Sequence, residues 1–154
     1  MSRVSGVTTP PASQPPAVEI REWRPDDGPS LRRLWDEAGL RSLGDDDDSL
    51  AAMAQRNPGL LLVATVGDAI VGSALGGWDG RRGWIYHVVI ASDHRRRGIG
   101  RGLVGQVETG LLALGCPKVN VIVMDQNDDG VGFWVSMGYG MLRARQFGRV
   151  LARE

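Results

Sequence analysis

Hydrophobic and polar residues follow two different periods along this chain after residue 17. Segments in which β-branched residues alternate with polar ones or run together are typical of strands, and they fall at 18–20, 60–66, 69–76, 84–91, 119–124 and 139–151. The dipeptide Gly67-Asp68 lies between the second and third segments and is a hairpin signal, so these strands should be antiparallel. The apolar run 119–124 indicates a strand buried on both faces, and 139–151 fits one or two closing strands.

Four other segments carry apolar residues at helical spacing. The first starts with Pro29 at the first helical position and ends at Gly39, as the end preferences of helices favour. A short helix follows the acidic run 45–48, a long amphipathic helix covers 99–114, and another short helix covers 127–137. Because strands and helices interleave, we predict an α/β domain with a mixed sheet.

The chain has 154 residues, no formal net charge and a single cysteine, Cys116. This length supports one domain, which we assign to 18–154 after a Pro-, Ser- and Thr-rich leader, 1–17, that we expect to be disordered. A neutral chain has no overall field that would attract nucleic acid or a membrane. One cysteine excludes an internal disulfide, argues against a metal site and fits a reducing cytoplasm. Since the sequence carries neither a membrane-length apolar run nor a signal peptide, we expect a soluble cytoplasmic protein.

The strongest chemical signal is the stretch 86–107, which reads YHVVIASDHRRRGIGRGLVGQV. A buried strand here leads through an Arg- and Gly-rich turn into the start of the long helix. Amide N–H groups at a helix N-terminus lack intrahelical partners, and the helix dipole favours negative charge there. Glycines let a phosphate approach the backbone, and arginines add charge-assisted contacts. The stretch therefore predicts a pyrophosphate site.

Two common phosphate-binding loops do not fit this turn. A P-loop needs Lys and then Ser or Thr after its second glycine, whereas Arg101-Gly102 follow Gly100. A dinucleotide-binding turn needs a different glycine spacing and an early parallel strand. The pattern present is Arg-x-x-Gly-x-Gly, formed by Arg95, Gly98 and Gly100.

The chain resembles the GNAT superfamily of N-acetyltransferases from about residue 18 to residue 151. The resemblance is carried by this motif, by the run GCPKVNV at 115–121, and by the spacing of Asn127, Phe133, Gly138 and Tyr139. The resemblance is to the small single-domain bacterial type. It implies the GNAT fold, in which a mixed, mostly antiparallel sheet of about six or seven strands is flanked by about four helices. It also implies acetyl-CoA as the acyl donor and is compatible with a homodimer.

The resemblance also implies which residues contact the cofactor. The loop of Arg95, Arg96, Arg97, Gly98, Ile99, Gly100 and Arg101 would hold the pyrophosphate, chiefly through backbone amides. The backbone of Val88, Val89 and Ile90 would pair with the pantetheine arm and present an amide to the thioester carbonyl, which is the main electrostatic help that acyl transfer needs. Asn127 matches a family position that contacts the pantetheine region.

The second motif departs from the family at Trp134, which stands where many members have a tyrosine that serves as the general acid for the leaving thiolate. An indole N–H donates hydrogen bonds but does not usefully release a proton. Trp134 therefore does not inherit the acid role, and it either shapes the pantetheine channel, donates a hydrogen bond to sulfur, or packs against Phe133.

The acceptor amine also needs a base, because an ammonium has no lone pair. Tyr86 and His87 precede the thioester-binding backbone, and strand alternation predicts that at most one of them faces the acceptor cleft. His87 has a suitable intrinsic pKa, and a structural role for it stays open. Asp79 and Asp125 are weaker candidates, and an ordered chain of water molecules is a further alternative.

The run Asp45 to Asp48 either attracts a cationic amine or is a solvated loop in which one aspartate caps the next helix. We favour the cap.

Two functions follow from these residues. The leading hypothesis is an N-acetyltransferase that moves acetyl from acetyl-CoA directly to a primary amine of a small molecule or protein. The alternative is a non-catalytic acyl-CoA-binding regulatory module, which the substitution at Trp134 motivates. A third interpretation, nucleic-acid binding through the arginine cluster, is disfavoured because the cluster is a small footprint on a neutral chain.

Overall fold

A computed structural model describes residue 6 and residues 16–151 of the chain. The predicted disordered leader, 1–17, lies for the most part outside these residues. The chain divides into two compact units, of which the first ends at Asn120 and the second begins at Val121. No helix in the described part is long and apolar enough to cross a membrane.

Strands and helices of the first unit follow the predicted order. The elements are β1 (Val18–Glu22), α1 (Gly28–Glu37), α2 (Asp47–Arg56), β2 (Leu61–Val66), β3 (Ala69–Trp78), β4 (Gly83–Ile90), α3 (Ile99–Ala113) and β5 (Val119–Asn120). Short 3₁₀ turns at Pro25–Asp27 and Ser92–His94 precede α1 and α3. The second unit contains α4 (Asp128–Ser136).

The sheet is mixed, with strand order β1-β2-β3-β4-β5. The first three pairings are antiparallel, and β5 runs parallel to β4. The predicted hairpin is confirmed, because β2 and β3 pair from Val66 and Ala69 outward around Gly67. Gly67 has φ of +57°. Residues with a Cβ rarely adopt this left-handed backbone conformation, which the tight turn requires.

The predicted number of six or seven strands is wrong for the described residues, which form five. The strand predicted at 119–124 ends at Asn120, and Ile122 and Met124 are largely exposed rather than buried on both faces. No strand forms at 139–151 within the described chain. Its apolar residues, Met141 and Phe147 among them, are exposed. Strand formation requires a pairing partner and a buried face, and a local apolar pattern supplies neither.

Two apolar layers cover the sheet of the first unit. On one face, α1 and α2 bury a cluster that includes Trp23, Leu31, Leu34, Trp35, Leu50, Leu61, Val63, Leu75 and Val89. On the other face, α3 contributes Leu103, Val104, Val107 and Leu111, all fully buried. Helix α3 lies so close to β3 that a Cβ on Gly76 would come within 2.6 Å of Val107, so only glycine fits there. Burial on both faces holds β3 and β4 rigidly at the centre of the unit.

Candidate active site

Strand β4 contains a β-bulge at its centre. Ser73 pairs with Val89 and Leu75 pairs with Tyr86, so a two-residue step on β3 faces a three-residue step on β4. The extra residue is accommodated at His87, whose φ is +49°. A bulge of this kind interrupts the alternation of side chains and is common next to active sites.

The bulge corrects the prediction that Tyr86 and His87 point to opposite faces. Directly paired residues share a face of the sheet, so Tyr86 lies on the same face as Leu75, and Leu75 belongs to the cluster under α1 and α2. His87 contacts Trp35 of α1, with the ring centroids 4.6 Å apart in an edge-on arrangement. Both candidate side chains therefore lie on the α1 and α2 face. Simple alternation fails because the extra residue shifts the register by one.

Buried hydrogen bonds support the bulge from inside the sheet. The Trp35 indole donates from Nε1 to Ser73 Oγ at 2.9 Å, and Ser73 Oγ donates to the His87 carbonyl at 2.7 Å. Trp35 and Ser73 are both fully buried. A buried polar group left without a partner is costly. These two linked hydrogen bonds therefore hold the His87 backbone in its unusual conformation.

The imidazole of His87 contacts a carboxylate. Its Nε2 lies 3.0 Å from Asp45 Oδ1 and 3.1 Å from Asp45 Oδ2, across 42 residues of sequence. Asp45 is 6% exposed, and its Oδ2 accepts a hydrogen bond from the Ser42 amide at 2.8 Å. Sequence reasoning missed this contact, because the acidic run was interpreted as a solvated loop with one capping aspartate.

The other aspartates of the run have local roles. Asp46 is the N-cap of α2, and its Oδ1 accepts from the Ser49 amide at 2.9 Å, which confirms that the run contains a helix cap. Asp47 pairs with Arg32 at 2.6 Å and its side chain is 67% exposed. A shallow concavity of about 430 Å³ lies along this loop, lined by residues of 41–47 and by Arg32. Asp45 thus differs from its neighbours in being buried against a histidine.

Tyr86 is half-exposed and lies in an aromatic environment. Its ring stacks on Trp84, with centroids 6.3 Å apart and an interplanar angle of 14°. Burial, and next the negative charge of Asp79, raise the pKa of the Tyr86 phenol above its usual value of 10.0. A phenol with a raised pKa stays protonated at neutral pH, so it is poorly suited to accept a proton from an amine.

Asp79 belongs to the turn between β3 and β4. Its Oδ1 accepts hydrogen bonds from the amides of Arg82 and Arg81 at 2.8 and 2.7 Å, and these bonds lower the pKa of its carboxyl. The carboxylate therefore stabilises the turn.

The connection between β4 and α3 has the geometry of an open helix N-terminus. Arg96 and Gly98 have φ of +62° and +76°, and Gly98 is the N-cap residue of α3 with no capping side chain. The side chains of Arg96 and Arg97 are exposed, whereas Ile99 is 6% exposed, so Ile99 has only its backbone to offer a ligand. Arg95 turns back along the strand, and its Nε donates to the Ile90 carbonyl at 3.2 Å. The turn thus combines a helix N-terminus whose N-cap residue has no side chain with exposed positive charge.

One edge of β4 is largely unpaired in the described chain. The pairing with β5 joins Gly83 to Val119 and Trp84 to Asn120 and extends no further along the described residues. Val88, Val89 and Ile90 lie beyond it, and the last two pair with β3 on the opposite edge. A strand with a free edge can bind an extended ligand through backbone hydrogen bonds.

Asn127 and Trp134, two further predicted site residues, lie in the second unit. Asn127 is the N-cap of α4, and its Oδ1 accepts from the Gly130 amide at 2.9 Å. A Cβ at Gly130 would come within 2.5 Å of the Asn127 side chain, so glycine leaves room for the cap in this conformation. Trp134 packs edge-on against Phe133 and Tyr139, with ring centroids 5.1 and 4.7 Å apart.

Comparison with known proteins shows which family this chain belongs to. The acetyltransferase (GNAT) family matches residues 18–139. An acetyltransferase of Pectobacterium atrosepticum is 35% identical over 138 residues, which cover 89% of this chain and 98% of that protein. An uncharacterised N-acetyltransferase of Yersinia pestis is 37% identical over 123 residues, covering 79% of this chain and 87% of its own.

Solved structures agree on the fold. Ard1 from Thermoplasma volcanium superposes with a TM-score of 0.73 at 21% identity, over 82% of this chain and 84% of its own. The PaiA N-acetyltransferase of Thermoplasma acidophilum, in complex with coenzyme A, has a TM-score of 0.71 at 18% identity, over 84% of this chain and 93% of its own. The chain belongs to the acetyltransferase (GNAT) family, whose acyl donor is acetyl-CoA.

Proposed function

We propose that this protein is an N-acetyltransferase that moves the acetyl group of acetyl-CoA directly to a primary amine, with both substrates bound together. The amine nitrogen attacks the thioester carbonyl carbon, the C–S bond breaks, and coenzyme A leaves as the thiolate. A thiolate whose thiol pKa is roughly 8.5 can leave without a dedicated acid, so the absence of the family tyrosine at Trp134 is compatible with turnover.

The observation that carries the proposal is the N-terminus of α3, whose N-cap residue is the glycine Gly98, directly behind an arginine-rich turn. In this proposal, the amides of the turn from Arg96 to Arg101 bind the pyrophosphate, and the exposed arginines neutralise its charge. The free edge of β4 at Val88, Val89 and Ile90 then pairs with the pantetheine arm. One β4 amide donates to the thioester oxygen as negative charge develops on it.

Family membership defines the acceptor amine less closely than it defines the acyl donor. An aminoglycoside acetyltransferase, whose structure was determined with sisomicin, shares the fold with a TM-score of 0.73 at 20% identity, over 88% of this chain and 97% of its own. Small amines, amino sugars and protein amino groups are the acceptors to test. The roles of Asn127 and Trp134, a homodimer and a cytoplasmic location stay predictions.

The test is a turnover assay with a library of those three amine classes, in which free thiol and the acetylated amine are measured. We expect release of one thiol per amide formed. Double-reciprocal plots of the initial rate should give intersecting lines, as a ternary complex requires. A covalent acetyl-enzyme would give parallel lines. Tight binding of acetyl-CoA without turnover on any amine would favour the non-catalytic acyl-CoA-binding module instead.

A further inference from the structure

We propose that Asp45 is a positioning residue that holds His87 as the general base for the acceptor amine. This inference rests on the proposed acetyl transfer and adds to it a proton acceptor and the group that orients it. Neither the family motifs nor the acidic run itself points to this pair, which only the folded chain brings together.

The contacts around His87 restrict the orientation of its imidazole ring. Both carboxylate oxygens of Asp45 lie within 3.1 Å of His87 Nε2, and the Ser42 amide holds one of those oxygens from the other side. The Trp35 indole packs edge-on against the imidazole ring. A side chain held by a carboxylate, an aromatic wall and a bulged backbone keeps one orientation, as a catalytic base requires.

The contact also assigns the ring protons. An ionised carboxylate only accepts hydrogen bonds, so the imidazole nitrogen that faces it must carry the proton. Nε2–H therefore donates to Asp45, and the lone pair of the neutral ring is on Nδ1. Nδ1 has no hydrogen-bond partner among the residues described, and the His87 side chain is 15% exposed. The free lone pair is the one that can accept a proton.

Asp45 is also the charged group that faces this histidine. Within the described residues, α1 contributes the neutral Trp35 indole and β3 contributes the Ser73 hydroxyl, which is directed at the backbone carbonyl. The ion pairs of the described chain give Asp45 no arginine or lysine partner. A buried carboxylate is costly unless it is paired, and here its negative charge becomes fully compensated when His87 takes up a proton.

The step balances in atoms and charge. The acceptor arrives as an ammonium, and His87 Nδ1 takes one of its protons and becomes an imidazolium stabilised by Asp45. The freed lone pair forms the C–N bond to the thioester carbonyl carbon, and the C–S bond breaks with its electron pair on sulfur. As the amide forms, its nitrogen loses a second proton to the thiolate. His87 then releases its proton to water, and one proton is produced per turnover.

The position of His87 in the strand agrees with this role. His87 immediately precedes Val88, where the proposed pantetheine edge of β4 begins, and the bulge directs its side chain to the α1 and α2 face. The base then lies one residue before the backbone that is proposed to pair with the pantetheine arm.

The experiment compares two acceptors with wild type, His87→Gln, Asp45→Asn and Asp48→Asn. Benzylamine is a cation at neutral pH and needs a base, whereas aniline is neutral and does not. Asp48→Asn is the matched control, because Asp48 belongs to the same acidic run, is exposed and lies in the first turn of α2. Acetyl-CoA dissociation constants by calorimetry and thermal unfolding curves are measured for every variant.

With benzylamine we expect His87→Gln to lower kcat by about 100-fold, which is the lower end for a lost general base, and Asp45→Asn to lower it by roughly 10-fold. With aniline both variants should stay within about threefold of wild type, and acetyl-CoA affinity should not change. The KM for acetyl-CoA should stay unchanged in Asp45→Asn, so that the loss falls on kcat with benzylamine. A merely structural contact would lower the turnover of both amines alike.

The proposal would be overturned if His87→Gln and Asp45→Asn lowered kcat equally with benzylamine and aniline. It would also be overturned if Asp48→Asn lowered kcat as much as Asp45→Asn does. Turnover by wild type with unchanged rates in His87→Gln would overturn the base and leave the proposed acetyl transfer standing. Wild type that binds acetyl-CoA but acetylates neither these amines nor the library would overturn both.

Discussion

The side-chain hydroxyl of Ser73 donates a hydrogen bond of 2.7 Å to the backbone carbonyl of His87. Ser73 is fully buried and in turn accepts from the Trp35 indole at 2.9 Å. A β-bulge breaks the ladder of backbone hydrogen bonds at the residue it inserts, and here a serine from the neighbouring strand satisfies the carbonyl. The bulge of β4 is thus built into the core of the first unit.

Replacing Ser73 by alanine removes both hydrogen bonds and leaves a buried carbonyl and a buried indole N–H without partners. We expect Ser73→Ala to lose about 1–3 kcal/mol of the free energy of unfolding, measured by urea denaturation. Ser30→Ala, at a partly exposed position of α1, is the control and should stay within about 0.5 kcal/mol of wild type. Equal stability of the two variants would show that the serine does not support the bulge.

Replacing Gly100 by glutamate tests the cofactor loop. Gly100 lies in the first turn of α3 and is buried, so the new carboxylate would bring bulk and negative charge to the proposed pyrophosphate site. We expect acetyl-CoA affinity to fall by about 100-fold or more, corresponding to roughly 3 kcal/mol, in isothermal calorimetry. Gly105→Glu is the control, since a Cβ at Gly105 meets nothing within 4 Å.

Circular dichroism reports whether each glycine variant folds. If Gly100→Glu does not fold, Arg97→Glu replaces it, because the Arg97 side chain is exposed and its reversal changes charge without burying bulk. Acetyl-CoA affinity equal to that of wild type in the folded variant would mean that this loop does not bind the pyrophosphate.

The stability of the first unit should depend on acid pH through Asp27. Arg21 donates two hydrogen bonds to its carboxylate at 2.7 and 2.9 Å, and the Arg24 amide donates a third at 2.8 Å. The Arg21 contact in particular lowers the pKa of Asp27. Stabilisation from such a carboxyl is complete above its unfolded pKa of about 3.9 and is lost as the pH falls through its lower folded pKa.

Asp27→Asn should therefore cost about 2 kcal/mol at neutral pH, and the gap to wild type should close as the pH falls below about 4. Urea denaturation at a series of pH values measures both. Asp26→Asn, an exposed neighbour, should show no such gap. A gap that stays constant with pH would contradict the role given to the carboxylate charge.

The Tyr86 phenol should ionise at higher pH than free tyrosine. The chain has two tyrosines, so Tyr139→Phe leaves Tyr86 as the single one to follow by tyrosinate absorbance. Burial, and then Asp79, raise its pKa, and we expect its midpoint above about 10. Adding Asp79→Asn should move the midpoint down, because a nearby negative charge is removed. A midpoint at or below that of free tyrosine would restore Tyr86 as a candidate base.

The sequence by itself determined the order of elements in the first unit and the turn that is proposed to bind the cofactor. Strands, helices and the Gly67 turn are local, since apolar periodicity and turn chemistry act over a few residues. The turn from Arg95 to Gly100 was predicted in the same way, because amides at a helix start and adjacent arginines favour a bound anion. The capping aspartate of α2 belongs to the same class of local effects.

Tertiary structure decided the rest of the candidate site. The bulge at His87 depends on Ser73 and Trp35, which lie on other elements, so strand alternation misplaced Tyr86 and His87. In the sequence, Asp45 is indistinguishable from the three aspartates that follow it. In the folded protein it is buried against His87, which lies 42 residues away. Segment 139–151 has strand-like residues but no strand. Pairing and burial are properties of the folded chain, and no local pattern encodes which partner a side chain will meet.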